Sequence, residues 1–311
     1  MNPDTKTACV TGATGMIGRR IVERLLTDGF HVRALTRNGR FDDPQVQVFK
    51  GGLEDEETLK AFLKGGHLIF HCAGEIHDES KMRQVNVLGT KGLLNLAKDL
   101  KIIYFCYISS AGVTGLSKRK MVTEQTKCFP MNLYEQTKWE AERLVENSFQ
   151  PSTRTIILRP TNVVDAGYSP GLDTILKPSL LNRLKIFLKG GESAHIVHAR
   201  DVASAALFFL NKESVANGSF LVSRDHEPFN TFAGLRAACN ALKNRLPWDG
   251  VRPAPHLPLM FPYVIRFVKY RGKTNFGDIQ YSSEKLISEG FVFSFKFKDM
   301  VSDLMKQSKI K

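Results

Sequence analysis

The sequence lacks several features that would assign it to a special class of protein. It has no stretch of about 18 uncharged apolar residues, so a membrane-spanning helix is not expected. Its five cysteines, at positions 9, 72, 106, 128 and 239, are odd in number and include no C-x-x-C pair, which fits a reducing compartment. The first residues have neither the basic nor the apolar region of a secretory signal, and we expect a cytoplasmic protein. Histidines 67, 71 and 77 lack metal-ligand spacing, so we expect no metal.

Acidic residues are scarce relative to basic ones. The chain has 44 lysines and arginines against 31 aspartates and glutamates, a formal net charge of +13. This balance suggests an anionic partner, such as a phosphorylated cofactor, a nucleotide-linked substrate, nucleic acid or an acidic membrane surface in peripheral contact, and charge alone does not choose among them. The alternative is that the basic residues, which are spread along the chain, form a solvated surface. The interleaved aromatic and basic pattern of RNA-binding sheets is missing, so we expect no nucleic-acid partner.

Apolar runs rich in β-branched residues alternate with helix-period segments through the first half, as in a parallel sheet with crossover helices. The pattern predicts strands over roughly 6–11, 30–36, 46–49, 67–72, 102–109 and 154–159. It predicts helices near 16–28, 55–64, 81–100 and 133–149. The expected fold class is α/β, a doubly wound parallel sheet of the Rossmann type with a smaller C-terminal lobe.

A glycine turn follows the first predicted strand. The stretch TGATGMIG, residues 11–18, places three glycines at intervals of three, directly before an amphipathic helix. Gly12 can take the tight turn, Gly15 lets the backbone approach a pyrophosphate, and Gly18 lets the helix pack close to the sheet. The helix N-terminus would present N–H groups to the phosphates. The turn predicts dinucleotide binding, although its G-x-x-G-x-x-G spacing departs from G-x-G-x-x-G.

The end of the second predicted strand bears on which dinucleotide is bound. An acidic residue there would bind the ribose 2′-hydroxyl of NAD, but HVRALTRNGR offers Thr36 and Arg37 and no carboxylate. A guanidinium favours a 2′-phosphate through charge-assisted hydrogen bonds. We therefore expect NADP, with NAD as the less favoured cofactor; the alternative is that Arg33, Arg37 and Arg40 are ordinary exposed arginines.

The alternation of predicted strands and helices becomes less regular after about residue 165, where glycines and prolines cluster at 167, 170, 171 and 178. A strand and helix return over 195–210 and another strand over 219–222, and 226–311 reads as a smaller lobe. The predicted division is a dinucleotide-binding domain (1–164 plus 195–225) and a substrate-binding lobe (165–194 plus 226–311).

A tyrosine and a lysine in the stretch YEQTK, Tyr134 and Lys138, lie one helical turn apart on one face of a predicted helix. The stretch YISSAG ends the fifth predicted strand with Ser109 and Ser110 at the carboxyl edge of the sheet, where ligands of such folds bind. Adjacent strand residues face opposite ways, so only one of these serines can reach a substrate.

With these motifs the chain resembles the extended short-chain dehydrogenases/reductases, specifically the NAD(P)-dependent epimerase/dehydratase and 3β-hydroxysteroid-dehydrogenase-like branch. The matching stretches are TGATGMIG, LIFHCAGE, VNVLGT, YISSAG, YEQTK, LRPTNVV and IVHARDVASAAL. The resemblance implies that Tyr134 is the general acid/base, Lys138 its activator, Ser110 the carbonyl-polarising hydroxyl and Asn86 a support for the site. It implies cofactor contacts at Gly12, Thr14, Gly15, Met16, Ile17, Gly18, Arg37, Leu53, Ala73, Gly74 and Lys138.

These implied roles agree with carbonyl chemistry. Hydride transfer to a ketone builds negative charge on oxygen, which Tyr134 could protonate while the Ser110 hydroxyl stabilises it. An ordinary tyrosine has a pKa of about 10, which is too high for efficient proton exchange at neutral pH. The Lys138 ammonium, together with the positive nicotinamide of the oxidised cofactor, is expected to lower the pKa of Tyr134. The same lysine could hold the nicotinamide ribose.

Departures from the family pattern narrow the activity. Ala-Gly at 111–112 stands where 4,6-dehydratases carry an Asp-Glu pair, which argues against dehydration. Thr-Gly at 114–115 and Val-Asp at 164–165 replace tyrosine-glycine pairs, which weakens an assignment as a nucleotide-sugar 4-epimerase. Gly52 replaces an aspartate near the adenine, so that contact is missing or falls to the backbone and Leu53.

The expected activity is that of an NADP(H)-dependent oxidoreductase interconverting a ketone and a secondary alcohol on a medium-sized substrate. A sugar nucleotide, a steroid- or terpenoid-like molecule and a flavonoid-like molecule all fit. The alternatives are a nucleotide-sugar epimerase with transient hydride transfer and a cofactor-binding regulatory protein without catalysis. Family resemblance also implies a homodimer through the helices around 81–100 and 133–149.

Two apolar stretches of the second half suggest more than one role. HLPLMFPYVIRFVKYRGK, 256–273, fits a core helix, an apolar wall of a substrate pocket or an interfacial attachment to an anionic membrane. FVFSFKFK, 291–298, alternates strictly and predicts a half-buried extended segment.

Overall fold

The computed structural model describes residues 6–117, 119–149, 152–166, 172, 179–212, 215–269, 271 and 274–306. The glycines and prolines at 167, 170, 171 and 178 lie outside the described residues, as do positions 270, 272 and 273 of the apolar stretch. The chain divides into two compact units, the first of residues 1–115, 130–159 and 202–220 and the second of 116–129, 160–201 and 221–311.

The strands follow the predicted order in the first half. They are β1 (Thr7–Thr11), β2 (His31–Thr36), β3 (Gln47–Lys50), β4 (Leu68–His71), β5 (Tyr104–Ile108), β6 (Met121–Val122), β7 (Arg154–Pro160), β8 (Asn162–Val164), β9 (Ile196–His198), β10 (Gly218–Val222) and β11 (Gln280–Tyr281). In the described part of the chain, seven of them form one sheet in the order β10-β7-β5-β4-β1-β2-β3. Each neighbouring pair from β3 to β7 is parallel, which confirms the doubly wound fold.

Helices connect these strands and cover the sheet. Those described are α1 (Met16–Thr27), α2 (Glu56–Leu63), α3 (Glu79–Met82), α4 (Thr90–Ala97), α5 (Leu133–Glu146) and, further along, Leu180–Lys189, Ala199–Phe208, Phe232–Lys243, Met260–Lys269, Glu284–Ser288 and Phe297–Lys306. The helix expected near 81–100 is observed as one continuous helical segment over 79–97, in which a π-helical turn, Arg83–Gly89, lies between α3 and α4. Such turns are rare and often mark functional sites. No described helix has the length and apolar character needed to cross a membrane.

Each unit has its own hydrophobic core. In the first unit Phe62 of α2, Leu93 of α4 and Ala141 of α5 pack with Phe105 and Tyr107 of β5. Strand β5 is buried along its whole length, as expected for a strand covered on both faces.

The core of the second unit joins the helices Phe232–Lys243 and Phe297–Lys306, through residues such as Leu235 and Met300. The predicted alternation of burial over 291–298 is observed, since Phe291 and Phe297 are buried whereas Val292 is exposed, but the segment is not extended to its end, because the helix Phe297–Lys306 begins within it.

Candidate active site

The glycine turn after β1 is held by contacts that leave no room for side chains. Gly12 has a φ of +63°, and a Cβ there would lie 2.6 Å from the main-chain nitrogen of Ala73. A Cβ on Gly18 would lie 2.2 Å from the carbonyl oxygen of Gly12. Gly15 occupies the N-cap position of α1, and it has no side chain that could accept hydrogen bonds from the first N–H groups of the helix. The turn therefore exposes an uncapped helix N-terminus at the carboxyl edge of the sheet.

The residues around this turn differ in exposure. Thr14 and Gly15 are exposed, whereas Met16 and Ile17 are half-buried at the first turn of α1. Ala73 contributes the main chain that approaches Gly12 after β4.

The end of β2 presents a buried hydroxyl beside an exposed arginine. The Thr36 Oγ1 is buried and has no hydrogen-bond partner among the described residues. The next side chain, Arg37, is exposed, and its guanidinium is one of the groups that lower the pKa of Glu75. Arg33 is a structural residue, because it donates hydrogen bonds to Gln47 and to the carbonyl oxygen of Phe62.

Leu53, proposed from the sequence as an adenine contact, lies in the core. It is 8% exposed, and a Cβ on Gly89 would meet the Leu53 side chain at 2.8 Å. The side chain therefore packs the loop after β3 against the helical layer.

Asn86 ties the loop after β4 to α5. The Asn86 Oδ1 accepts a hydrogen bond from Glu75 N (2.7 Å), and its Nδ2 donates to Glu75 O and to Thr137 Oγ1, both at 3.0 Å. A Cβ on Gly74 would lie 3.4 Å from Asn86 Oδ1 and 3.9 Å from Lys138 Nζ. The π-helical turn thus positions the buried Asn86 amide next to α5, the predicted catalytic helix. The sequence did not predict the roles of Glu75 and Thr137, because both are far from Asn86 along the chain.

The carboxylate of Glu75 is itself fixed by the main chain. It accepts hydrogen bonds from the N–H groups of Ile76, His77 and Asp78, which lower its pKa. The main-chain N–H of His77 therefore helps to hold the Glu75 carboxylate in this loop.

Ser110 and Tyr134 meet at the carboxyl end of β5. Ser110 has extended backbone, and its Oγ accepts a hydrogen bond from Gly112 N (3.1 Å) at the start of a 3-10 turn. Tyr134 lies in the first turn of α5, which Asn132 caps by accepting a hydrogen bond from Glu135 N at 2.9 Å. The Ser110 side chain is close enough to the Tyr134 phenol to lower its pKa. Ser109 is buried instead, and its Oγ has no partner in the described part of the chain.

The pKa of Tyr134 differs from the expectation. Burial raises it, the Ser110 side chain lowers it, and the negative charge of Glu135 raises it, so that the net shift is upward. Lys138 is not among the causes of this shift, because desolvation of the phenol dominates; the expected lowering by Lys138 with the oxidised cofactor stays a prediction.

Lys138 is buried below Tyr134 on the same helix. Its Nζ donates a 2.6 Å hydrogen bond to Ile108 O and lies 4.2 Å from the centre of the Tyr107 ring. Burial lowers the pKa of Lys138 to about 8, an effect opposed by the negative charge of Glu142. Lys138 in turn contributes to lowering the pKa of His71, to about 3, although burial is the larger cause.

A buried ion pair supports this part of α5. Glu142 accepts two hydrogen bonds from Arg159 of β7, at 3.0 and 2.6 Å, and both side chains are almost inaccessible. A bidentate pair of this kind fixes the helix against the sheet. The sequence offered no signal for it, since the two residues are on separate elements.

The three histidines considered as metal ligands have different surroundings. His71 hydrogen-bonds Thr11 Oγ1 (2.7 Å) and Thr90 Oγ1 (2.9 Å), and His67 Nδ1 accepts from Thr7 N at 3.2 Å. Among the described residues, no group of three or more histidine, cysteine, aspartate or glutamate side chains could hold a metal ion.

Comparison with known proteins agrees with this geometry. The model of the NAD dependent epimerase/dehydratase family matches residues 8–223. The 4-hydroxy-2-methyl-3-oxo-4-farnesyl-3,4-dihydroquinoline-1-oxide ketoreductase of Stigmatella aurantiaca is 26% identical over 266 residues, which cover 80% of this chain and 78% of that protein. The sterol-4-alpha-carboxylate 3-dehydrogenase, decarboxylating, of Bos taurus is 26% identical over 249 residues, 74% of this chain and 68% of that protein. The solved structure of the Bordetella bronchiseptica enzyme WbmH in complex with NAD+ has the same fold, with a TM-score of 0.75 and 19% identity over 99% of this chain and 100% of the other.

Proposed function

This chain belongs to the NAD-dependent epimerase/dehydratase family of extended short-chain dehydrogenases/reductases, and on that premise we propose that it is an NADP(H)-dependent ketone reductase. It is an NAD(P)-dependent enzyme of this family. The proposal adds the 2′-phosphorylated cofactor, the net exchange between a ketone and a secondary alcohol, and a medium-sized, largely apolar substrate.

The observation that carries the proposal is the interacting pair of Ser110 and Tyr134 with the buried Lys138 one helical turn from Tyr134. Lys138 would also serve a protein that only bound a dinucleotide, but such a protein would need neither the Ser110 hydroxyl nor the Tyr134 phenol. Their arrangement favours catalysis over the regulatory alternative.

Each side chain has a defined task in carbonyl reduction. Bound NADPH would supply the hydride. Tyr134 would transfer its phenolic proton to the carbonyl oxygen as negative charge develops, and the Ser110 hydroxyl would donate a hydrogen bond to the same oxygen. Because burial raises the pKa of Tyr134, the phenol holds its proton at neutral pH, which suits the reductive direction. Lys138 would hold the nicotinamide ribose with the N–H bonds that Ile108 does not use.

The first unit fits a dinucleotide at the carboxyl edge of its sheet. The main chains of Gly12 and Ala73 approach each other so closely that a Cβ on Gly12 would fill the space between them. At the end of β2, the Thr36 hydroxyl, which has no partner in the described part of the chain, is next to Arg37 in the sequence, where the adenosine ribose is bound in this fold. All predicted cofactor and catalytic residues lie in the first unit.

The preference for NADP(H) rests on Arg37. Its exposed guanidinium could bind a 2′-phosphate, whereas the residues directly after β2 offer no carboxylate for a 2′-hydroxyl. The WbmH structure holds NAD+, so this preference would be a property of the present chain.

The proposed substrate class draws on two relatives. One is named as a ketoreductase of a farnesylated dihydroquinoline oxide and the other as a sterol carboxylate 3-dehydrogenase, both molecules with large apolar parts. Ala111 and Gly112 supply no carboxylate after Ser110, which disfavours a dehydratase.

We also propose a homodimer through α4, α5 and the adjoining π-helical turn. Leu88 and Trp139 are large and exposed on these elements, at 50% and 36%. Light scattering of wild type and Leu88→Glu would test this, because a dimer through this face would become a monomer in the variant.

The first experiment measures cofactor preference. Cofactor-stripped protein is titrated with NADPH and with NADH while nicotinamide fluorescence is followed. Wild type is expected to bind NADPH more tightly, and Arg37→Ala to weaken NADPH by about tenfold or more with little change for NADH. Arg40→Ala, a neighbouring exposed arginine, is the control for general loss of positive charge. Equal losses for both cofactors in Arg37→Ala would contradict the 2′-phosphate assignment.

The second experiment measures the reaction. With a panel of steroid, prenylated and flavonoid-like ketones, the wild-type enzyme should consume NADPH stoichiometrically, and Tyr134→Phe should lower turnover by orders of magnitude without loss of cofactor binding. Epimerisation of a sugar nucleotide with no net change in cofactor would show that the protein is an epimerase and contradict the proposed reductase activity.

A further inference from the structure

The helix Met260–Lys269 of the second unit carries its apolar side chains on the outside. Val268 is 73% exposed and Ile265 59%, and the other large apolar residues that face solvent are Met260, Phe261, Val264 and Phe267. Their spacing repeats every three or four residues, so they form a continuous stripe along the helix. The helix Met260–Lys269 is therefore not the core helix that the composition of this stretch allowed.

The opposite face of this helix makes its contacts with the protein. Tyr263 stacks on Phe276 with ring centres 4.1 Å apart, and Arg266 forms an ion pair with Glu192 and donates a hydrogen bond to Asn275 O at 3.1 Å. A surface helix normally buries its apolar face and exposes its charged one. In this helix Arg266 faces inward and the apolar residues face outward. The apolar stripe is therefore available for contact with a molecule outside this unit.

The neighbouring helix Leu180–Lys189 shows the same feature. Leu180 is 83% exposed, Leu181, Leu184 and Phe187 are also exposed, and Ile186 faces inward. The two helices are in contact, and Leu257 N donates a 2.7 Å hydrogen bond to Phe187 O. We call the exposed apolar residues of these two helices the outer patch.

The exposed charged side chains on the two helices of the outer patch all have one sign. No acidic residue occurs between 174 and 191 or between 250 and 277. The exposed side chains of Arg183, Lys185 and Lys189 lie on one helix, and Lys269 ends the other. An apolar stripe bordered by basic residues is complementary to the anionic headgroups and acyl chains of a lipid surface.

We propose that the outer patch binds peripherally to an anionic lipid bilayer, with the two helices lying in the interface. Each helix has 10 residues, too few to span a membrane but enough to insert an apolar face at the boundary between headgroups and acyl chains. A second copy of this chain fits less well, because it would bring the same positive charges against themselves. The inference is independent of the proposed reductase activity.

The test is sedimentation of the full-length protein with vesicles of phosphatidylcholine alone or with about 30 mol% phosphatidylserine. Wild type should sediment with the anionic vesicles, less with neutral ones, and less as salt is raised. Ile265→Glu with Val268→Glu should weaken binding at least tenfold. The matched control is Val292→Glu, which changes an equally exposed valine of the same unit outside both helices and should bind like wild type.

A second variant, Arg183→Glu with Lys185→Glu, leaves the apolar residues in place and should remove the preference for anionic vesicles. Circular dichroism and the NADPH titration check that all variants are folded. The proposal is overturned if wild type does not sediment with anionic vesicles, or if Ile265→Glu with Val268→Glu sediments as wild type does. A concentration-dependent dimer that this variant dissolves, with no vesicle binding, would instead identify a second copy as the occupant.

Discussion

The Lys138 ammonium donates a 2.6 Å hydrogen bond to the main-chain carbonyl of Ile108, at the point where β5 ends before Ser110. This contact holds the positive charge of Lys138, a residue that is only 4% exposed. The cost of that burial is visible in the pKa of Lys138, which is lowered to about 8. A residue kept under such a penalty is expected to serve function at the expense of stability.

The first prediction concerns stability and pH. Since the pKa of Lys138 is about 8 when folded and 10.5 in its ordinary state, the unfolded chain binds more protons between these values. Because of Lys138, the free energy of unfolding of wild type should therefore rise as pH increases from about 8 to 10.5. Below pH 8 the buried side chain is charged, and its full destabilising effect remains. Lys138→Met should lack this gain, as measured by urea unfolding at several pH values. Lys91→Met, on the exposed side of α4, should behave as wild type, and the same pH dependence in Lys138→Met would contradict the assignment.

The second prediction separates backbone strain from steric contact in the glycine turn. Gly12→Ala must adopt a φ of +63° and also displace the main chain of Ala73, 2.6 Å from the new Cβ. Gly65→Ala has a φ of +72° but meets nothing within 4 Å among the described residues, so it bears only the left-handed cost of about 1–2 kcal/mol. We expect Gly12→Ala to lose more stability and more than tenfold in NADPH affinity, whereas Gly65→Ala keeps its affinity. Equal affinities would show that the turn does not approach the cofactor.

The sequence predicted those parts of the fold that depend on local patterns. The apolar runs of β4 and β5 and the glycine turn were readable because burial on both faces and close backbone approach restrict the residues at each position. The π-helical turn around Asn86 was not, because helical periodicity does not reveal a single inserted residue.

Long-range effects were also beyond the sequence. The Glu142–Arg159 pair joins two elements whose register no local pattern gives. The direction of the Tyr134 pKa depends on how deeply the phenol is buried, and the outward face of Met260–Lys269 depends on which side of that helix packs.

The third prediction distinguishes the two adjacent serines. Ser110→Ala removes the hydroxyl that acts on Tyr134 and should lower kcat/KM for ketone reduction by about 10²–10³. Ser109→Ala removes a buried hydroxyl that has no partner within the described ranges, so it should leave activity unchanged and stability unchanged or slightly higher. Steady-state kinetics and thermal unfolding of the two variants decide the matter. Similar losses of activity would mean that the end of β5 acts through its packing and not through one hydroxyl.

The fourth prediction concerns Glu135, whose negative charge raises the pKa of Tyr134. Its Oε2 also accepts a 2.6 Å hydrogen bond from Met131 N, which glutamine can still accept. Glu135→Gln should therefore keep the start of α5 intact while lowering the pKa of Tyr134.

The pH profile of alcohol oxidation would reveal this shift. Oxidation requires the ionised phenol as base, so its rate rises as pH passes the pKa of Tyr134, and in Glu135→Gln that rise should occur at lower pH. Reduction requires the protonated phenol, so its decline should move to lower pH as well. Glu140→Gln, on the same helix and paired with Arg83, serves as the control and should leave both profiles in place. If both glutamate variants shifted the profiles equally, the effect would come from the net charge of the helix and not from a local interaction with Tyr134.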